Sequence, residues 1–308
     1  MKNKFLFVLL LSVLGFSQKK KINEEYDYIN NYYQLVYEAQ YEYLHNNYQK
    51  AYDLLKKSES ICPLLNQTGI YEPKILAQCA FKLGKHNEAF KYATLLLKEH
   101  GFQLSFIEND TILDQLKGLK KWKKLEKNAS KYYEDFLVQV DIDLRNEIIE
   151  MKKDDQIART TKPIDYDKLK TVDSITDIKL KKIVADCDCY PDTMFSQFGN
   201  FSVDKQNFSA TVFVMHINSE KSKYWEPIFL DLIKRGRAPA SIYGNLIDSN
   251  LRSTGMFKYG IYQNLGKENI NDFENLNERR IAVGLPTWEH QNFIYNWNLE
   301  LMKKYNVK

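Results

Sequence analysis

Apolar residues in the first third of this chain recur at steps of three and four. Ala51, Leu54, Leu55, Ser58 and Cys62 form one set, and Leu76, Cys79, Ala80 and Leu83 a second. Ala89, Phe90, Ala93, Leu96 and Leu97 form a third. At about 3.6 residues per turn, each set is one stripe on a helix, and a helix with one apolar stripe must bury it against another element. Short polar turns separate the stripes, Asn46-Asn47 and Gly84-Lys85-His86-Asn87. Only 12 Gly and 7 Pro occur in 308 residues, well below the usual share, which excludes collagen-like and many-turned all-β folds. The expected fold class is mainly α.

The helical segments resemble one another. Ala39, Tyr48, Ala51 and Leu55 stand 38 residues before Ala77, His86, Ala89 and Ala93. Small residues where paired helices touch, an aromatic before the inter-helix alanine and Pro63 after the second helix make residues 24–130 resemble tetratricopeptide-like helical repeats. The chain departs from that pattern at Glu42, Asn46 and Gly101, where a small residue, a glycine and a proline are usual. Two units are expected, with a degenerate third around Leu113, Leu116, Leu119 and Trp122. The resemblance implies a concave face that binds a protein or peptide partner. The competing expectation is that so short a stack packs on the rest of its own chain.

Two side-chain clusters lie here. Tyr26, Tyr28, Tyr32, Tyr33, Tyr37, Tyr41, Tyr43 and Tyr48 are expected to pack between helices with their hydroxyls reaching solvent; stacking on carbohydrate or bases is the alternative. Lys117, Lys120, Lys121, Lys123, Lys124 and Lys127 surround Trp122 as a solvated face, or else meet an anionic partner such as acidic lipid or polysaccharide.

Residues 1–17 have the three parts of a signal peptide: Lys2 and Lys4, the apolar run Phe5 to Leu14, and Gly15-Phe16-Ser17. The mature chain is expected to begin near Gln18 and to be exported, periplasmic or secreted. No Cys follows the apolar run before Cys62, so no lipid-modified cysteine is expected, and no later segment is apolar enough to cross a membrane. Net charge is +4, and about +2 without the leader, which gives no reason to expect nucleic acid. An exported location permits disulfides. Cys62 and Cys79 are the candidate pair, with buried thiols as the alternative; Cys187 and Cys189 stand too close together to pair comfortably.

Leu137, Val140, Leu144, Ile148 and Met151 carry a helix on to Arg159, and Leu180, Ile183 and Val184 mark a second that stops before Pro191. Trp225 to Ile233 reads as a third, and Ile294, Trp297 and Leu301 as one face of the last. Ser241 to Asp248 and Phe257 to Gln263 are β-favouring runs around a turn ending at Gly255, which predicts a β-hairpin at 241–263 within an α-rich domain spanning 137–300.

This half carries an ordered set of motifs. Met151, Asp155-Gln156 and Arg159 come first, then Tyr190-Pro191, His216, Asp248, Tyr259-Gly260 and Gln263, and finally Arg279-Arg280 and Gly284-Leu285-Pro286. From about Leu144 to Phe293 the chain resembles an uncharacterised bacterial family catalogued as domain of unknown function 6624. Asn218 and Ser249 replace an acid and an arginine of that pattern, and one residue is inserted before Gln263.

Asp155, Gln156, Arg159, His216, Asp248 and Gln263 are the groups a small hydrolase would gather. His216 would be the general base, oriented by Asp155 or Asp248. Arg159 would hold an anion or developing negative charge. The ordinary alternatives are an Asp155–Arg159 helix ion pair, a hydrogen-bonded histidine, and glutamines tying the hairpin to the helix. A metal on His216, Asp155 and Asp248 has only one imidazole to draw on, and no metal or cofactor is expected. No nucleophile elbow, phosphate loop, dinucleotide glycine motif or zinc-protease motif occurs. The sequence favours an exported interaction or scaffold protein of the cell envelope, with a hydrolase-like enzyme as the alternative.

Overall fold

The computed structural model describes residues 26–67, 69–194 and 209–304, so the leader expected at 1–17 lies outside the described residues. The described chain is mainly α-helical, with no strand among its elements. Its helices are α1 (Tyr28–Asn31), α2 (Tyr33–Leu44), α3 (Tyr48–Ile61), α4 (Glu72–Lys82), α5 (His86–Glu99), α6 (Leu104–Glu108) and α7 (Trp122–Leu137). There follow α8 (Ile142–Thr160), α9 (Tyr166–Cys187), α10 (Thr211–Val214), α11 (Ser219–Lys234), α12 (Ser241–Asn250), α13 (Leu276–Ile281) and α14 (Trp288–Lys304).

Side-chain caps begin several helices. Asp141 accepts from the Leu144 amide at 2.9 Å, Asp165 from the Lys168 amide at 2.9 Å, and Asn218 from the Lys221 amide at 3.0 Å. Each satisfies an amide that lacks an intrahelical partner. Most of the predicted stripe residues face inward: Ala51, Leu55, Ser58, Cys62, Leu76, Cys79, Ala80, Ala89, Phe90, Ala93, Leu96 and Leu97 are buried, while Leu54 and Leu83 are half-buried. α2 packs on α3, α3 on α4, α4 on α5 and α5 on α7. Gly101 has a left-handed φ of +67°, and a Cβ there would overlap the Phe136 ring. That close approach explains glycine at this turn.

A single hydrophobic cluster runs from Tyr28 to Leu285, through both halves. The tyrosines form the seam. Tyr28, Tyr32, Tyr33 and Tyr37 are buried, and their hydroxyls do not reach solvent as expected. Tyr33 donates to the Ile233 carbonyl at 3.3 Å, and Tyr37 to the Gly284 carbonyl at 2.9 Å. Tyr28 donates to the Pro63 carbonyl at 3.1 Å, and Tyr32 to the Glu72 carboxyl at 3.1 Å. Gln34 donates to the Leu285 carbonyl at 2.9 Å. The face of α2 is therefore covered by the chain's own segments near 233–238 and 284–285.

Two further sequence expectations are corrected, and the alternatives for Cys62 and Cys79 are resolved. Ser241–Asn250 is a helix, and the segment after Gly255 makes only one isolated parallel bridge, Phe257 to Ile270, so no β-hairpin forms at 241–263. Ile242, Tyr243 and Leu246 are buried along one helical face, with Gly244 letting Ile261 and Leu285 approach the backbone. Packing here overrides β-propensity. Cys62 and Cys79 are separate buried thiols, pushed up by burial to about 11 and about 12. Cys187 and Cys189 instead form a disulfide, because Asp188 between them takes a left-handed turn that leaves their Cα atoms 5.1 Å apart. The last helix, α14, contains no buried residue, so Ile294, Trp297 and Leu301 form at most a half-covered face.

Tyr37→Phe is expected to destabilise the protein by roughly 1–2 kcal/mol, since the Gly284 carbonyl loses its buried donor while the ring packing stays. Urea denaturation followed by circular dichroism checks this; an unchanged midpoint would show that the seam does not depend on the hydroxyl.

Candidate active site

Asp155 lies on α8, facing the core, and is 1% exposed. A carboxylate withdrawn from water needs donors. Asp155 Oδ1 accepts from His216 Nδ1 at 2.9 Å and from Arg159 Nε at 3.1 Å. Its Oδ2 accepts from Gln156 Nε2 at 2.7 Å. Burial alone would raise its pKa. The His216 bond and charge, the Arg159 charge and the Gln156 bond outweigh burial and hold the carboxyl below its usual range.

An ionised Asp155 accepts only. The bond therefore requires a proton on His216 Nδ1, which leaves Nε2 of a neutral imidazole as an acceptor. Among the described residues, no hydrogen bond occupies Nε2, and the ring lines a pocket.

That pocket has a volume of about 70 Å³, room for a few waters or the reacting end of a substrate. Besides Asp155 and His216, its walls include Asp173, Thr176, Asp177, Phe213 and Lys221. Residues 173, 176, 177 and 180 of α9 share one helical face, a spacing readable in the sequence but not used there. Burial raises the Asp173 carboxyl against the pull of Arg159. Burial also opposes Asp177, yet the bonds from Trp225 and Lys181 and the charge of Lys221 hold it below its usual range. Trp225 Nε1 donates to Asp177 at 3.0 Å, and Lys221 Nζ lies 3.5 Å from the same carboxylate.

The sequence-derived set divides in two. Asp155, Gln156, Arg159 and His216 converge. Arg159, however, is not free to hold an anion, because it pairs with both Asp155 and Asp173. Asp248 serves elsewhere: fully buried on α12, it accepts from the amides of Lys258, Tyr259 and Ile261 at 2.9, 3.0 and 3.1 Å. Gln263 is exposed, and Gln156 is spent on Asp155 rather than on a hairpin. Arg280 is fully buried and donates to the carbonyls of Tyr259 and Pro286 and to Gln291. Asp248, Tyr259, Gly260, Arg280 and Pro286 thus form a structural knot. No group of three metal-ligating side chains occurs among the described residues.

Comparison with protein-family models, with curated proteins and with solved structures finds no match to this chain.

The depressed Asp155 pKa has a signed consequence. The carboxyl stabilises the fold above the ordinary Asp pKa of about 3.9, and that contribution is lost as pH falls through the lower folded value. Asp155→Asn is expected to cost roughly 2 kcal/mol near pH 7, where charge-assisted bonds are lost. The gap from wild type should close on acidification. Urea titrations at several pH values check the trend; a gap that widens toward low pH would contradict it.

Proposed function

We propose that the protein is a small acid–base enzyme of hydrolase type, with His216 as general base and Asp155 as the group that orients it. The observation that carries this reading is the 2.9 Å Asp155–His216 bond beside an enclosed pocket. Such a pairing fixes the imidazole tautomer and leaves Nε2 as the free ring nitrogen of a residue that lines the cavity. His216 Nε2 takes a proton from a water held in the pocket, the resulting hydroxide adds to the electrophilic centre, and the imidazolium returns that proton to the leaving group. Lys221 lines this cavity but is paired with Asp177, as Arg159 is with Asp155 and Asp173, so no free cation is assigned to the site. Asp155 and Arg159 are positioning residues.

The alternative is an interaction protein built on tetratricopeptide-like repeats, and one surface favours it. An open groove of about 740 Å³ lies beside the α2–α3 turn, with Tyr48, Lys50, Leu54 and Leu83 among its walls. It ranks second because the α2 face carrying Tyr33 and Tyr37 is already covered by the chain itself. In either reading the leader at 1–17 supports export.

A panel of small esters, amides and phosphoesters tests the proposal. Wild type should turn over at least one class, with His216→Ala reducing the rate by about 100-fold or more. Asp155→Asn should lower the rate too, while Asp248→Asn should lower stability with little effect on turnover. Absence of any turnover, or an unaffected His216→Ala, would remove the enzyme reading.

A further inference from the structure

The lysine cluster around Trp122 is absorbed by neither the fold nor the candidate site. Lys117, Lys120, Lys121, Lys123, Lys124, Lys127 and Lys131 are all exposed, and Glu126 is the only acid between the first and the last. This short stretch alone exceeds the net charge of +4 carried by the whole chain. Among the described residues none of the seven is in an ion pair. Lys121 donates to Asn87 at 2.6 Å, and Lys117 sits 6.0 Å from the Trp122 ring centre.

Their placement opposes folding. The first turn of α7 contains no acid, and Lys120, Lys121, Lys123 and Lys124 crowd its N-terminal end. That end is the positive pole of the helix, where anions stabilise and cations destabilise. A sequence that breaks a local rule without a packing gain points to a role outside folding.

At about 100° per residue, Lys123, Lys124, Lys127 and Lys131 fall within a single arc of roughly 100° on α7. The buried Trp122, Leu125, Ala129 and Phe136 occupy the opposite side. At the C-terminal end the face closes with the exposed acids Glu134, on the same arc, and Asp135 beside it.

We propose that this face docks the protein on an anionic phospholipid surface. The cations are all lysines. Ammonium groups act as point charges and suit a fluid field of phosphates, whereas shaped phosphate recognition favours the arginine fork. Trp122 is buried and offers no stacking platform for a nucleic acid base. The contact is peripheral, since no described helix is long and apolar enough to cross a membrane.

Co-sedimentation with phosphatidylcholine vesicles, with and without phosphatidylglycerol, tests the proposal on the purified protein. Binding should require phosphatidylglycerol and weaken steeply as salt rises, because surface charges are screened. The combined K120Q, K123Q, K124Q and K127Q variant should lose up to about a thousandfold in vesicle affinity, at roughly 1 kcal/mol per lysine. A control carrying K57Q, K98Q, K168Q and K223Q, equal in charge change and also on exposed lysines, should bind as wild type does. The wild-type lipid and salt dependence stands as a readout even if the patch variant folds poorly. Equal binding to neutral vesicles, no binding at all, an unaffected patch variant, or preferential capture by a DNA or acidic-polysaccharide competitor would each overturn the lipid assignment.

Discussion

Burial of the tyrosine seam is the constraint on which the rest of the structure depends. A buried phenol keeps its apolar ring in the core only if its hydroxyl finds an acceptor. Here the acceptors belong largely to distant segments: Tyr33 and Tyr37 reach the carbonyls of Ile233 and Gly284. The first long helix is thereby tied to the end of α11 and to the turn after α13. α11 in turn supplies Trp225, whose indole fixes Asp177 on α9. Asp155 and His216 stand across the same pocket. The geometry of the candidate site is thus inherited from packing well away from it.

Two buried acids show how environment divides similar residues into different roles. Asp248 is satisfied by backbone amides alone and shapes the loop after Gly255. Asp155 is satisfied by side chains, one of which is a histidine open to a cavity. Only the second arrangement leaves a titratable group free to exchange a proton with a bound molecule. Arg159 and Arg280 divide in the same way. One balances carboxylates at the pocket wall, and the other holds carbonyls together inside a structural knot.

The helices were legible because burial of one face imposes a period on the sequence, as in Ala51, Leu55, Ala89 and Ala93. The convergence of Asp155 and Arg159 was legible from their four-residue spacing. The helix at Ser241–Asn250 was not: Ile242, Tyr243 and Ile247 favour strands locally, and only the neighbours at Gly244 reveal why a helix forms. The Cys187–Cys189 link was also hidden, because it depends on the left-handed turn at Asp188. Asp173, Asp177 and Lys221 escaped because their relevance arises only when α9 and α11 meet. Tyr28, Tyr32, Tyr33 and Tyr37, by contrast, found their explanation in the seam rather than in a ligand.

The central claim is that Asp155 fixes the tautomer of His216 so that Nε2 is the ring's free acceptor at the pocket. Nitrogen-15 NMR of histidine-labelled protein reads this directly at a pH where the ring is neutral. The account predicts a proton on Nδ1 of His216, shifted downfield by its carboxylate bond and lost in Asp155→Asn. A proton on Nε2 instead, or an Nδ1 signal indifferent to Asp155→Asn, would contradict it.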